Sequence, residues 1–225
     1  MAYTLAFDVY GTLINTSGVY DKLNSMITDR AEPFMRLWRQ KQLEYSFRRG
    51  LMGCHTDFSV CTRDALIYAC KTNGINLSKE QQEELMQSYT ELPAFSDVKS
   101  CLTACHKENY RMYAFSNGSK SAVNHLLEHS EIRSLFDGIV STEEVQMFKP
   151  SPMVYNHFIK AVGSDEADTW LISGNPFDVM GARACGWNAV WVQRSKDNLF
   201  DPWDGYNPTA TVQSLDELPE ILTKS

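Results

Sequence analysis

Apolar residues along this chain fall into two kinds of pattern, and their order predicts its architecture. Short apolar runs at Thr4–Val9, Arg111–Phe115, Gly138–Val140, Thr169–Ser173 and Asn188–Val192 read as buried strands. Between the later runs, stretches near 119–130, 150–162 and 177–186 read as helices. Strands alternating with helices predict right-handed crossovers and a mainly parallel sheet covered on both faces. About 100 residues separate the first strand from the second, far more than one crossover helix needs. Within that interval Glu32–Arg49, Asp57–Cys70 and Ser78–Thr90 repeat apolar residues at three- and four-residue spacing. Asn73-Gly74 and Leu92-Pro93 punctuate it. The expected architecture is an α/β core with a helical subdomain inserted after its first strand.

Length and charge narrow this. The chain has 225 residues, about one and a half typical domains, which suits a core of about 150 residues and an insert of about 75 to 80. The predicted boundaries are 1–14 with 93–225 for the core and 15–92 for the insert. With 21 Lys and Arg against 28 Asp and Glu, the net charge of −7 argues against a nucleic-acid surface. No apolar run reaches the length of a membrane span. The first residues, Met1-Ala2-Tyr3-Thr4-Leu5, lead directly into a strand and lack the basic start of a signal peptide. The six cysteines form no CxxC pair, and Cys101, Cys105 and His106 are too few ligands for a zinc site. A reduced, cytoplasmic protein is expected.

Ligands of open α/β sheets sit beyond the carboxyl ends of the strands, so the residues found there matter most. The first strand runs into Asp8-Val9-Tyr10-Gly11-Thr12-Leu13 and the second into Ser116-Asn117-Gly118. Lys149-Pro150 precedes a helix, and the fourth strand runs into Ser173-Gly174-Asn175-Pro176-Phe177-Asp178. Each is unremarkable alone, since an Asp after a strand is most often a turn residue. Together they deliver two carboxylates, an ammonium, a hydroxyl and an amide to one crevice. In the insert, Arg39 stands in the spaced row Met35, Arg39, Leu43, Phe47, an unusual place for a cation that meets no anion.

These segments resemble the haloacid dehalogenase superfamily over essentially the whole chain. The superfamily motifs are Asp8 opening DVYGTL, Ser116 in SNG, Lys149 in KP, and Asn175 with Asp178 in SGNPFD. The insert segment Leu37-Trp38-Arg39-Gln40-Lys41-Gln42-Leu43-Glu44-Tyr45 is similar to the L-2-haloacid dehalogenase subgroup. The resemblance implies a Rossmann-like core with a small helical cap, and a homodimer as similar enzymes commonly form. The superfamily's phosphotransferases carry a second Asp two residues after the nucleophile, where this chain has Tyr10. A carboxylate attacking a phosphoryl dianion needs Mg²⁺ to offset like charge, and Gly174-Asn175 supplies no further carboxylate for it. Displacement of halide from an uncharged carbon needs neither metal nor cofactor. A Mg²⁺-dependent phosphatase and a non-catalytic binding protein of the same fold stay open as alternatives.

For a dehalogenase the implied nucleophile is Asp8, displacing halide from Cα of a short 2-haloalkanoate to form an aspartyl ester. Asp178, with Asn175 and Lys149 beside it, would direct water onto that ester. Ser116, Thr12 and the amides after the first strand would hold the substrate carboxylate. Arg39 and Asn117 would accept the halide near the edge of Phe177. Tyr10, Gln40, Leu43, Phe58, Tyr155 and Phe177 match positions that line or support the site, and Ser173 would orient its neighbours. Gly174 departs from a commoner Ser and Phe177 from a Trp found in some members, differences expected to bear on substrate size. The five histidines fall outside the matched segments.

Overall fold

The computed structural model describes residues 3–224; Met1, Ala2 and Ser225, which the predicted core boundaries include, lie outside them. Strands β1 (Thr4–Phe7), β2 (Arg111–Ser116), β3 (Gly138–Ser141), β4 (Thr169–Ser173), β5 (Asn188–Val192) and β6 (Ala210–Val212) form one sheet in the order β3-β2-β1-β4-β5-β6. Every neighbouring pair is parallel. The direction of travel across the sheet reverses between β3 and β4, which opens a crevice at the carboxyl ends of β1 and β4. Five strands fall where the apolar runs predict them. The sixth, β6, is a three-residue edge strand with one buried side chain, Val212, too short to stand out as an apolar run.

All four residues of β1 are buried, and the strand period of two sends them to two different layers. Leu5 and Phe7 pack with Val98, Leu102 and Leu126 on one face of the sheet. Ala6 joins Phe115, Leu171, Val179 and Trp187 on the other.

The insert between β1 and β2 holds α1 (Ser17–Ile27), α2 (Ala31–Leu51), α3 (Phe58–Asn73) and α4 (Lys79–Ser88). Local chemistry sets their ends. The Asp57 side chain accepts the Ser59 amide and caps α3, and Gly74 in the left-handed conformation stops it. Ser78 and Gln81 form a reciprocal capping box at the start of α4. The longest helix, α2, packs along α3, where the buried Trp38 indole donates to the Thr62 carbonyl at 2.8 Å.

The core carries α5 (Val98–Lys107), α6 (Lys120–His129), α7 (Pro152–Val162), α8 (Pro176–Ala184) and α9 (Leu218–Thr223). Chain leaving and re-entering the core meets in a short antiparallel neck. There the Asn15 amide donates to the Pro93 carbonyl and the Phe95 amide to the Leu13 carbonyl, each at 2.9 Å. We propose this neck as the boundary between a cap and the core. No helix among the described residues is long and apolar enough to cross a membrane.

Helices α7 and α8 approach closely because Gly181 has no side chain. A Cβ there would lie 2.3 Å from the Tyr155 hydroxyl and 2.7 Å from its Cζ, and Tyr155 is fully buried. Gly181→Ala is expected to cost about 1–3 kcal/mol through overpacking, read as a lower denaturant midpoint with an unchanged slope.

Candidate active site

At the crevice, four segments converge on Asp8. It follows β1 with 8% of its surface exposed, and its two carboxylate oxygens have different surroundings. Oδ2 accepts from the Thr12 hydroxyl at 2.7 Å and from the Asn175 amide Nδ2 at 2.8 Å. Among the described residues Oδ1 has only the Lys149 ammonium, at 3.3 Å. The Asn175 amide also reaches the Tyr10 carbonyl at 3.4 Å, so one N–H₂ group spans both oxygens.

Lys149 precedes α7 and is 1% exposed. Its Nζ donates to Asp178 Oδ2 at 2.8 Å, to the Phe115 carbonyl at 2.9 Å and to Asp8. It also stands 4.1 Å from the centre of the Phe115 ring. Asp178, in the first turn of α8 and fully buried, takes a further hydrogen bond on Oδ1 from the Tyr155 hydroxyl at 2.8 Å. Burial holds the Asp178 carboxyl above the usual aspartate range; Lys149 opposes that shift and the charge of Asp8 adds to it. Burial, and then the adjacent Asp178 charge, keeps the Tyr155 hydroxyl far above its ordinary value, so it stays a donor.

At the end of β2, Ser116 Oγ accepts the Gly118 amide at 3.0 Å, and its own proton has no acceptor among the described residues. Asn117 Oδ1 accepts the Lys149 amide at 3.0 Å, which leaves its N–H₂ to face elsewhere. Ser173 Oγ accepts the Asn175 amide at 3.1 Å, fixing the loop that presents Asn175.

Above the crevice lies a cavity of about 540 Å³ between cap and core, lined among others by Tyr10, Arg39, Phe58, Gly174 and Asn175. Arg39 descends from α2 and donates to Gln42 Oε1 at 2.6 Å and Asn175 Oδ1 at 3.2 Å. Both acceptors are neutral amides, and Arg39 forms no ion pair with a carboxylate among the described residues. Burial lowers its pKa, while Tyr89 and Asp8 act in the opposite direction.

Not every expected residue sits where the sequence suggests. Thr12, expected to meet a substrate carboxylate, directs its hydroxyl to Asp8 and accepts the Gly174 amide at 2.8 Å. Tyr155 lies beneath Asp178 as its hydrogen-bond donor. Gln40 is exposed and does not line the cavity; one residue beyond Arg39, it is rotated about 100° away. Leu43 and Phe177 are half-buried beside the lining, and Phe177 meets Phe47 edge-on with ring centres 5.3 Å apart.

Three residues beyond Arg39, and so on its face of α2, Gln42 is buried and donates to Thr62 Oγ1 at 2.6 Å. It escaped the sequence reading although its spacing from Arg39 marks it. So did Arg194, which lines the cavity and donates to the Thr12 carbonyl at 2.6 Å and to Asp97 Oδ2 at 2.5 Å.

Comparison with known proteins decides the family. The model of the haloacid dehalogenase-like hydrolases matches residues 4–186. The chain belongs to that family. An (S)-2-haloacid dehalogenase of Pseudomonas sp. (strain YL) is 33% identical over 218 residues, covering 97% of this chain and 93% of the relative. Haloacetate dehalogenase H-2 of Moraxella sp. (strain B) is 31% identical over 97% of this chain and 96% of its own. Among solved structures, the L-2-haloacid dehalogenase of Xanthobacter autotrophicus with chloropropionic acid covalently bound superimposes with a TM-score of 0.89 at 28% identity, covering 99% of each chain.

The family's polar centre depends on Lys149 for its charge balance. Lys149→Met would leave two buried carboxylates facing one another, so one would take up a proton on folding. A carboxyl whose pKa is raised by folding contributes stability below its unfolded pKa and loses it as pH rises through the folded value. The variant is therefore expected to lose about 3–5 kcal/mol, with the gap to wild type wider at pH 8 than at pH 5 in urea melts.

Proposed function

We propose that this chain is a hydrolytic (S)-2-haloacid dehalogenase, converting L-2-haloalkanoates to D-2-hydroxyalkanoates and halide through an ester on Asp8. The observation that carries this reading is the Asn175 amide lying against both Asp8 Oδ2 and the Tyr10 carbonyl. A divalent cation would seek those same hard oxygens; here an N–H₂ group satisfies them. The activities of the relatives named above agree with this reading.

Asp8 Oδ1, which has one distant cation and no other partner, is the oxygen free to attack. As it bonds to Cα of the substrate, the carbon–halogen bond breaks in line and the halide leaves with the bonding pair. Arg39 meets that anion as a half-buried guanidinium with no carboxylate partner among the described residues, joined by the Asn117 N–H₂ and the edge of Phe177. The substrate carboxylate is held by the Ser116 hydroxyl and by the amides of Val9 and Tyr10, which donate to no carbonyl among the described residues. Thr12 and Asn175 hold Oδ2 so that the carboxylate cannot rotate, and Lys149 lies against Oδ1.

Water then adds to Cγ of Asp8 and gives a proton to Asp178, a stronger base than an ordinary aspartate because of its burial. Collapse breaks the Cγ–Oδ1 bond, the hydroxy acid departs with its oxygen protonated, and Asp178 passes its proton to solvent. The product hydroxyl in the first turnover therefore carries an oxygen from Asp8. We place the protein in the reducing cytoplasm, where its six free cysteines persist, as the homodimer the family resemblance implies.

Halide release from L-2-chloropropionate in EDTA, run beside phosphate-ester hydrolysis with Mg²⁺, tests the reading. Metal-independent halide release is expected, with unlabelled oxygen in the product of a single turnover in heavy-oxygen water. Ester hydrolysis alone would sink it, and label in the first-turnover product would replace the ester with direct water attack. Tyr155→Phe removes a donor that stabilises the ionised form of Asp178. The acid limb of kcat is then expected to shift to higher pH in the variant's pH–rate profile.

A further inference from the structure

The reaction centre takes up only one end of the cavity above it. A volume of about 540 Å³ is in the range that encloses drug-sized ligands, whereas L-2-chloropropionate has about six heavy atoms and needs a small fraction of it. The excess has a direction. Arg39 stands over Asn175, and Glu32 lines the same cavity from the first turn of α2. Seven residues of helix rise separate them by about 10 Å.

Most of the lining surface is apolar, with Thr16 and Thr90 among its polar part. Tyr20 from α1, Met35 from α2, Met86 and Tyr89 from the end of α4, and Phe95 from the neck all line it. Burial among these groups pushes the Tyr89 hydroxyl up to about 12. Charges that line the cavity away from the reaction centre already have partners. Arg36 pairs with Glu32 at 2.9 Å with both largely exposed, Arg194 pairs with Asp97, and the Asp57 carboxylate caps α3. What faces inward is aromatic and thioether surface, which accommodates apolar groups of varied shape.

We propose that the preferred substrates are 2-haloacids bearing an extended apolar substituent, of butyl to hexyl or benzyl size, which lies along α2 between Met35 and Met86. The inference rests on the dehalogenase reading and sharpens its substrate class. Cα stays at Asp8 and the carboxylate at Ser116, so the bonds made and broken are those described above. Only the third substituent at Cα differs, extending toward Tyr20 and Glu32.

The test is a kcat/KM series for halide release from the L-enantiomers of 2-bromopropionate, 2-bromohexanoate and 2-bromo-3-phenylpropionate. Each buried methylene is worth about three- to fourfold, so kcat/KM for the hexanoate is expected to exceed that for the propionate by at least about tenfold, mainly through KM. A flat or falling series with clear release from 2-bromopropionate would overturn the inference and leave the dehalogenase reading standing. No release from any of the three would remove both. Met35→Trp and Met86→Trp, made separately, fill the distal half. Either is expected to lower the hexanoate-to-propionate ratio about tenfold, and an unchanged ratio in every variant that folds would overturn the placement. Should neither fold, the wild-type series alone decides.

Discussion

Lys149 is 1% exposed, and three acceptors surround its Nζ, two of them the carboxylates of Asp8 and Asp178. Without that ammonium Asp8 and Asp178 would face each other as like charges in a crevice of low polarity. In the proposed reaction it lies between the nucleophile and the base. The three groups come from the end of β1, the segment before α7 and the first turn of α8, with the Phe115 carbonyl of β2 as the fourth corner. None of these segments can move far without leaving a charge buried and unpaired. The parallel strand order is what brings their ends together.

The centre remains one charge short of neutral, and neutral donors and a second cation offset it. Thr12 and Asn175 spread the negative charge of Asp8 onto a hydroxyl and an amide. Arg39 approaches from the cap, held by two amide oxygens in place of a carboxylate. A half-buried cation with neutral partners favours an arriving anion, so in the proposed reaction the cap supplies attraction for substrate and halide while the core supplies the reacting groups. The neck ties these two parts to one stretch of backbone. Arg194 bonds the Thr12 carbonyl, pairs with Asp97 and stacks 4.0 Å above Phe95. It thereby clasps the outgoing and returning strands of the neck beside the residue that orients Asp8.

Much of the core is legible because apolar runs mark buried parallel strands, and because the candidate site residues follow those runs directly. Asp8, Ser116, Lys149, Asn175 and Asp178 needed no further information to be set at strand or helix boundaries. Helices α2, α3 and α4 are legible from their spacing, whereas α1 lies outside the predicted stretches. Helix α5 falls outside the predicted helical stretches although Val98, Cys101, Leu102 and Cys105 follow helical spacing, and its two cysteines are buried core residues. Gln40 was favoured over Gln42 because a motif names neighbours in sequence, while a helix presents neighbours three and four residues apart. Arg194 was beyond sequence reasoning: its partners lie 97 and 182 residues away, and only the assembled sheet brings them into reach.

Gly174 illustrates how a departure from a family pattern acquires a physical meaning. Read from sequence, a glycine where a serine is commoner is expected to bear on substrate size. In the structure a Cβ at that position would lie 2.6 Å from the Gly11 carbonyl, closer than two such atoms approach, so its absence lets two loops meet. The Gly174 amide then donates to Thr12 Oγ1, and the next residue, Asn175, reaches both Asp8 and the Tyr10 carbonyl. A side chain there would push the β4 loop away from the β1 loop and draw the amide off the nucleophile. The glycine thus acts on the geometry of Asp8 first, and the breadth of the cavity comes from the cap residues that face it.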